Sequence, residues 1–149
     1  TGKELDPLAR HFLWEHCLDY DHGTGHGVGV FSNVHQGPQG ITRVNTVPLK
    51  PGMILSIEPG IYLEGKLGIR LENLVYIKRE RGHFRQKKEF YEFETLTLAP
   101  FEKNLIEKKL LSRDELLWLN SYHRNVYQKL SPFLGQTEKT WLRDTCKIL

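Results

Sequence analysis

The sequence predicts an α+β fold, a small antiparallel sheet with helices flanking it. Three observations lead there. Apolar residues recur at helical spacing near the start of the chain. The middle alternates apolar and polar residues between Gly and Pro punctuation, and the last third returns to helical spacing behind a capping signal. A chain of 149 residues can bury one sizeable core.

In chain order, Asp6-Pro7 is a helix-start signal, because Asp accepts from free amides and Pro suits the first helical position. The helix is predicted over 6–18, with Leu5, Leu8, Ala9, Phe12, Leu13 and Cys17 facing a core and Arg10 and Glu15 facing water. Next comes Asp21-His22-Gly23-Thr24-Gly25-His26-Gly27-Val28-Gly29, whose glycine at every second position argues for loop or strand. After Gly37-Pro38 a short extended run over 41–47 leads to a turn at Pro48-Leu49-Lys50-Pro51-Gly52. Residues 53–58 alternate as a strand, with Ile54, Ser56 and Glu58 on one face and Met53, Leu55 and Ile57 on the other. Pro59-Gly60 stops it and leaves Glu58 at its end.

A second strand over 69–77 puts Arg70, Glu72 and Leu74 on one face, and antiparallel pairing would bring Glu58 toward Arg70 and Glu72. A third is predicted over 90–98, behind a loop over 79–89. Ser112-Arg113-Asp114-Glu115 is a capping box for a helix carrying Leu116, Leu119, Val126, Tyr127 and Leu130, closed by Ser131-Pro132. A last helix over 138–147 shows Trp141, Leu142 and Cys146 on one side, and the tail's Trp and Tyr residues read as helix packing before any cofactor surface.

Composition narrows the class. With 39% hydrophobic and 26% charged residues, the chain has an ordinary soluble composition. A charge of +3 is too slight to argue nucleic-acid binding, and the basic run over 78–88 reads as a solvated hairpin tip before an anion patch. Cys17, read as a small buried hydrophobe, and Cys146 lie far apart with no metal-binding spacing, which suits a reduced, cytoplasmic protein. No apolar run approaches the roughly 18 residues of a membrane span.

The chemistry sits between Tyr20 and Glu72. The spacing GxGxGxG is neither a Walker loop nor GxGxxG, so a phosphate cradle fits poorly. Histidines at 22 and 26, with His35 in Asn33-Val34-His35-Gln36-Gly37-Pro38, suit metal or carbonyl contacts better. One imidazole with Glu58 and Glu72 suits Mn, Zn, Co or Fe(II), and the chemistry open to such a site is hydrolysis. The plainer reading of Glu58 and Glu72 is a surface pair of strand carboxylates. Three ligands could hold one ion. A second ion needs more carboxylates, and Asp6 (a cap), Asp19, Asp21, Asp114 and Asp144 are unconvincing sources.

Leu5-Asp6-Pro7-Leu8-Ala9-Arg10, the glycine loop, residues 33–38, Glu58-Pro59-Gly60-Ile61-Tyr62, Gly68-Ile69-Arg70-Leu71-Glu72-Asn73 and Trp118-Leu119-Asn120-Ser121-Tyr122-His123 together carry a resemblance. The chain resembles the C-terminal part of the M24, or pita-bread, metallopeptidases, and among them the Xaa-Pro aminopeptidases. That resemblance implies part of a pita-bread fold with a curved antiparallel sheet. Residues 1–100 would be the C-terminal half of the catalytic domain and 101–149 a helical extension. It implies His26, Glu58 and Glu72 as metal ligands, Glu72 bridging two ions and Glu58 also serving as acid/base partner. His22 and His35 would contact substrate at the scissile carbonyl, with Arg70 and Tyr62 supporting catalysis and substrate binding.

The reaction implied is removal of the N-terminal residue from peptides with proline second. Two divalent ions are implied, Mn first and Zn or Co as alternatives. The family's other two ligands are aspartates of an upstream segment that these 149 residues do not include. The chain is therefore expected to be a fragment that binds metal weakly, turns over little and self-associates, with a homodimeric parent. Peptide is the expected partner, with no nucleic acid and no membrane. A prolidase-type dipeptidase and a non-catalytic peptide- or protein-binding module are the alternatives. The spacing of His35 after the glycine loop favours the aminopeptidase, and retention of all three ligands favours an enzyme.

Overall fold

The computed structural model describes residues 1–31, 33–80 and 88–149, which form two compact units, Thr1–Thr97 and Leu98–Leu149. The first unit begins with helix α1 (Gly2–Trp14). Seven short strands follow among the described residues: β1 (Gly25–His26), β2 (Gly40–Ile41), β3 (Ile54–Ile57), β4 (Gly60–Leu63), β5 (Leu67–Arg70), β6 (Asn73–Arg79) and β7 (Tyr91–Thr95). All pairings are antiparallel: β1 with β2, β4 with β5, and β3-β6-β7 in that order. A bridge between Gly27 and Leu55 joins the β1 side to β3. Ile41, Leu55, Val75 and Ile77 form the core, with Leu5, Leu49, Met53 and Ile57 packed against it. Each such burial is worth about 1.5–3 kcal/mol.

The single strand predicted over 69–77 is two strands, β5 and β6, broken at Leu71–Glu72. Opposite this break lies the one at Glu58–Pro59, since Ile57 faces Asn73 and Gly60 faces Arg70. Pro59 has no N–H to continue the ladder, although its carbonyl still accepts from Leu71 N at 3.1 Å. Both breaks carry a glutamate. The extended run expected over 41–47 is reduced to β2 followed by a turn.

Helix α1 departs from its sequence reading. It starts before Asp6, with the Glu4 carboxylate accepting from the Thr1 amine and hydroxyl at 2.6 and 2.7 Å, and Pro7 lies inside it. Asp6 is therefore no cap. The buried stripe is Gly2, Asp6 and Arg10, so Arg10 does not face water, and Leu8 and Phe12 on the opposite side are exposed. Residues 6 and 8 lie about 200° apart on a helix, so one face cannot bury both. Cys17 is exposed and takes a positive φ of 55° beyond the helix end.

The second unit holds helices α2 (Arg113–Leu130) and α3 (Gln136–Thr145). The capping box forms as expected, the Ser112 amide donating to Glu115 at 2.7 Å and the Glu115 amide to Ser112 Oγ at 3.3 Å. Tyr122, Val126, Leu142 and Cys146 make the core. Trp141 is exposed, one residue off the Leu142–Cys146 stripe. Trp118, half exposed, stacks parallel on Tyr122 at 5.5 Å. His123 is fully buried and its Nε2 accepts from Phe101 N at 3.0 Å. Most of the predicted 79–89 loop and of the basic run lies outside the described residues.

Candidate metal centre

Glycine brings the histidine loop onto the sheet. A Cβ at Gly25 would overlap the Ser56 carbonyl oxygen, so β1 lies against β3 only because residue 25 has none. The His26 amide then donates to the buried Ser56 hydroxyl at 3.0 Å, and the Glu58 amide donates to Thr24 O at 2.7 Å. The His26 Nδ1 is 3.0 Å from Gly27 O, which fixes its proton there and leaves the Nε2 lone pair free.

That Nε2 lies 3.7 Å from Oε1 of Glu58, a largely buried carboxylate. Glu72 comes from the break between β5 and β6, and one ligand atom each from His26, Glu58 and Glu72 lies within 4.8 Å of the others. Ligands about 2 Å from one ion can be about 4 Å apart at most, and Glu72 is the exposed member of the three. Imidazole nitrogen with two carboxylates is a fitting donor set for a divalent ion.

A second cluster adjoins the first. The His22 Nδ1 is 2.8 Å from Gly23 O, so its Nε2 accepts from the Tyr62 hydroxyl at 3.0 Å. Tyr62 Oη accepts in turn from Arg70 Nε at 2.7 Å, the main reason the Arg70 pKa lies above its ordinary value. Arg70 Nη1 stands 3.9 Å from Glu58 Oε2. His35 meets His26 edge-on at a centroid distance of 4.1 Å. All seven residues singled out in the sequence thus converge: His22, His26, His35, Glu58, Tyr62, Arg70 and Glu72.

Sequence reasoning missed what holds the loop. Arg10 donates to Asp6 (2.7 and 3.2 Å), Asp19 (2.7 Å), Tyr20 O (2.6 Å) and His22 O (2.7 Å). Thr24 Oγ1 donates to Asp6 Oδ1 at 2.7 Å and meets the Tyr20 hydroxyl at 2.6 Å. Burial works against the charge of Asp6, but the bonds from Arg10 and Thr24 outweigh it and its pKa falls below the ordinary value. Asp19 is lowered further: burial opposes, and donors from Trp14, Arg10 and Tyr20 prevail. The one local signal was the i, i+4 spacing of Asp6 and Arg10, which is common on exposed helices. Ser56 gave no signal.

The model of metallopeptidase family M24 matches residues 1–79, and that of the C-terminal region of the same peptidases matches 89–149. A probable Xaa-Pro aminopeptidase P of Botryotinia fuckeliana is 49% identical over 148 residues, covering 95% of this chain and 23% of the relative. One from Laccaria bicolor is 46% identical over 156 residues, covering 100% and 24%. Among solved structures, the X-prolyl aminopeptidase of Caenorhabditis elegans, a cytosolic enzyme with a di-nuclear active site, matches with a TM-score of 0.91. It is 38% identical, over 100% of this chain and 25% of that one. The chain spans about a quarter of the length of the curated relatives it matches.

Proposed function

The chain belongs to metallopeptidase family M24, and from that premise we propose that it carries one side of the active site of a metal-dependent Xaa-Pro aminopeptidase. The longer protein would release the N-terminal residue of peptides whose second residue is proline, in the cytoplasm. The observation that carries the reading is the meeting of His26, Glu58 and Glu72 ligand atoms within 4.8 Å. Those three would hold metal, with Glu72 shared between two divalent ions. Manganese is the first expectation, with zinc or cobalt as alternatives. When bound, such ions make water more acidic and polarise a carbonyl.

The chain's own residues do the rest. Glu58, largely buried and facing Arg70, takes and returns the proton of the attacking water. His22 and His35 contact the peptide around the scissile carbonyl. Tyr62 links His22 to Arg70 by hydrogen bonds, and Arg70 stands 3.9 Å from the Glu58 carboxylate, an ion-pair distance. The 149 residues are proposed to bind metal weakly, to turn over little and to self-associate, the longer protein being a homodimer.

Two measurements test this. In the longer protein, Glu58→Gln should lower Mn-dependent cleavage of an Xaa-Pro tripeptide by about 10²–10⁴-fold, the usual contribution of a general acid/base. In the 149-residue chain, His26→Ala should lower Zn²⁺ affinity by more than the about 10–100-fold seen for outer-shell partners. Unchanged cleavage, or zinc binding indifferent to His26, overturns the reading.

A further inference from the structure

Arg10 is 2% exposed, and each of its N–H groups has a partner. Nε donates to Asp6 Oδ2, Nη1 to Asp19 Oδ1 and Tyr20 O, and Nη2 to Asp6 Oδ1 and His22 O. Five donors in a rigid fork are all that a guanidinium has. Its carbon lies 3.9 Å from the Tyr20 ring centroid, and the His22 imidazole lies against that same ring at a centroid distance of 4.8 Å. The carboxylates neutralise the cation, and the two carbonyls give it a further task, gripping the backbone on either side of Asp21.

We infer that Arg10 is the positioning residue of the histidine loop: from inside α1 it holds Tyr20 O, His22 O and the Tyr20 ring, and so aims the His22 imidazole at Tyr62. The inference rests on the function proposed above only in taking His22 as a substrate contact. A lysine at position 10 would keep a charge between Asp6 and Asp19. Its single nitrogen cannot also span both carbonyls, so the grip on His22 would be lost while the charge stayed.

The test reads the side-chain nitrogens of the seven histidines by long-range proton–nitrogen correlation in the ¹⁵N-labelled chain. In the parent, His22 should show one tautomer, its proton on Nδ1. In Arg10→Lys that signature should be lost to a tautomer mixture, while His26 keeps its own signature and Zn²⁺ affinity stays at the parent level. Tyr20→Leu, which removes the ring between Arg10 and His22 and keeps the backbone carbonyl, should move His22 the same way and serves if Arg10→Lys does not fold. A His22 that stays a single tautomer in the folded variants overturns the inference. So does a joint change of His22 and His26, which would mean that Arg10 only holds the fold. Zinc failing to bind the parent while His22 still answers to Arg10→Lys supports the inference and overturns the metal reading instead.

Discussion

At the scale of single residues, the candidate centre depends on groups that bind nothing themselves. Ser56 is fully buried, and its hydroxyl is the acceptor for the His26 amide. Ser56→Ala leaves that amide unpaired in a partly buried site, a loss of about 1–3 kcal/mol. Urea unfolding should show it as a lower midpoint at unchanged slope. Ser56 would not have been chosen from the sequence, because a serine in an alternating strand carries no mark of its partner thirty residues earlier. His22, His26 and His35 were legible because glycine spacing and a turn are local signals.

At the scale of elements, the breaks in the sheet matter as much as the strands. Pro59 marks one break in the sequence. The other, at Leu71–Glu72, has no proline or glycine within it and reads as continuous strand until β3 and β6 pair. The bonding between α1 and the loop has its own pH signature. Asp6 and Asp19 both have folded pKa values below their unfolded ones. Their contribution is therefore complete above the unfolded value of about 3.9 and is lost as pH falls from there through the folded values. Acid titration should unfold the first unit from about pH 4 downward. Asp6→Asn should weaken the fold at pH 7 and flatten that acid limb. An acid limb as steep in Asp6→Asn as in the parent would remove Asp6 from this account.

At the scale of the whole molecule, each unit has its own core and its own titrating group. His123 is the single histidine of residues 98–149. It is fully buried, its Nε2 serves as an acceptor and its Nδ1 has no hydrogen-bond partner among the described residues. Burial, with Lys103 adding repulsion, lowers its pKa. Protons then favour the unfolded state, so stability should fall as pH drops below the ordinary value of about 6.5 and level off past the folded value. Unfolding of the second unit, followed through Trp118 and Trp141, should show this as pH falls below about 6.5. His123→Gln should abolish it, and a pH dependence kept by that variant would assign it elsewhere.

The first unit exposes Leu8 and Phe12 on α1 and Leu67, Ile69 and Leu71 along and just beyond β5, apolar surface of the kind that seeks a partner. Light scattering of the 149-residue chain should show mass rising with concentration. A constant monomer mass at high concentration ends the self-association proposal.

The roles of His22, His26, His35, Glu58 and Glu72 are implied by the family resemblance; the sequence by itself determined the glycine-spaced histidine loop, the capping box of α2 and the stop after Glu58. Each is written in adjacent residues whose backbone preferences act locally. Only the tertiary structure decided which side of α1 is buried, that Arg10 and Asp6 belong inside and that residues 69–77 form two strands. Burying a charge is unfavourable until its partners are in place. For Arg10 those partners are two carboxylates and two carbonyls, reaching as far as position 22 and assembled only when the glycine loop folds back over the helix.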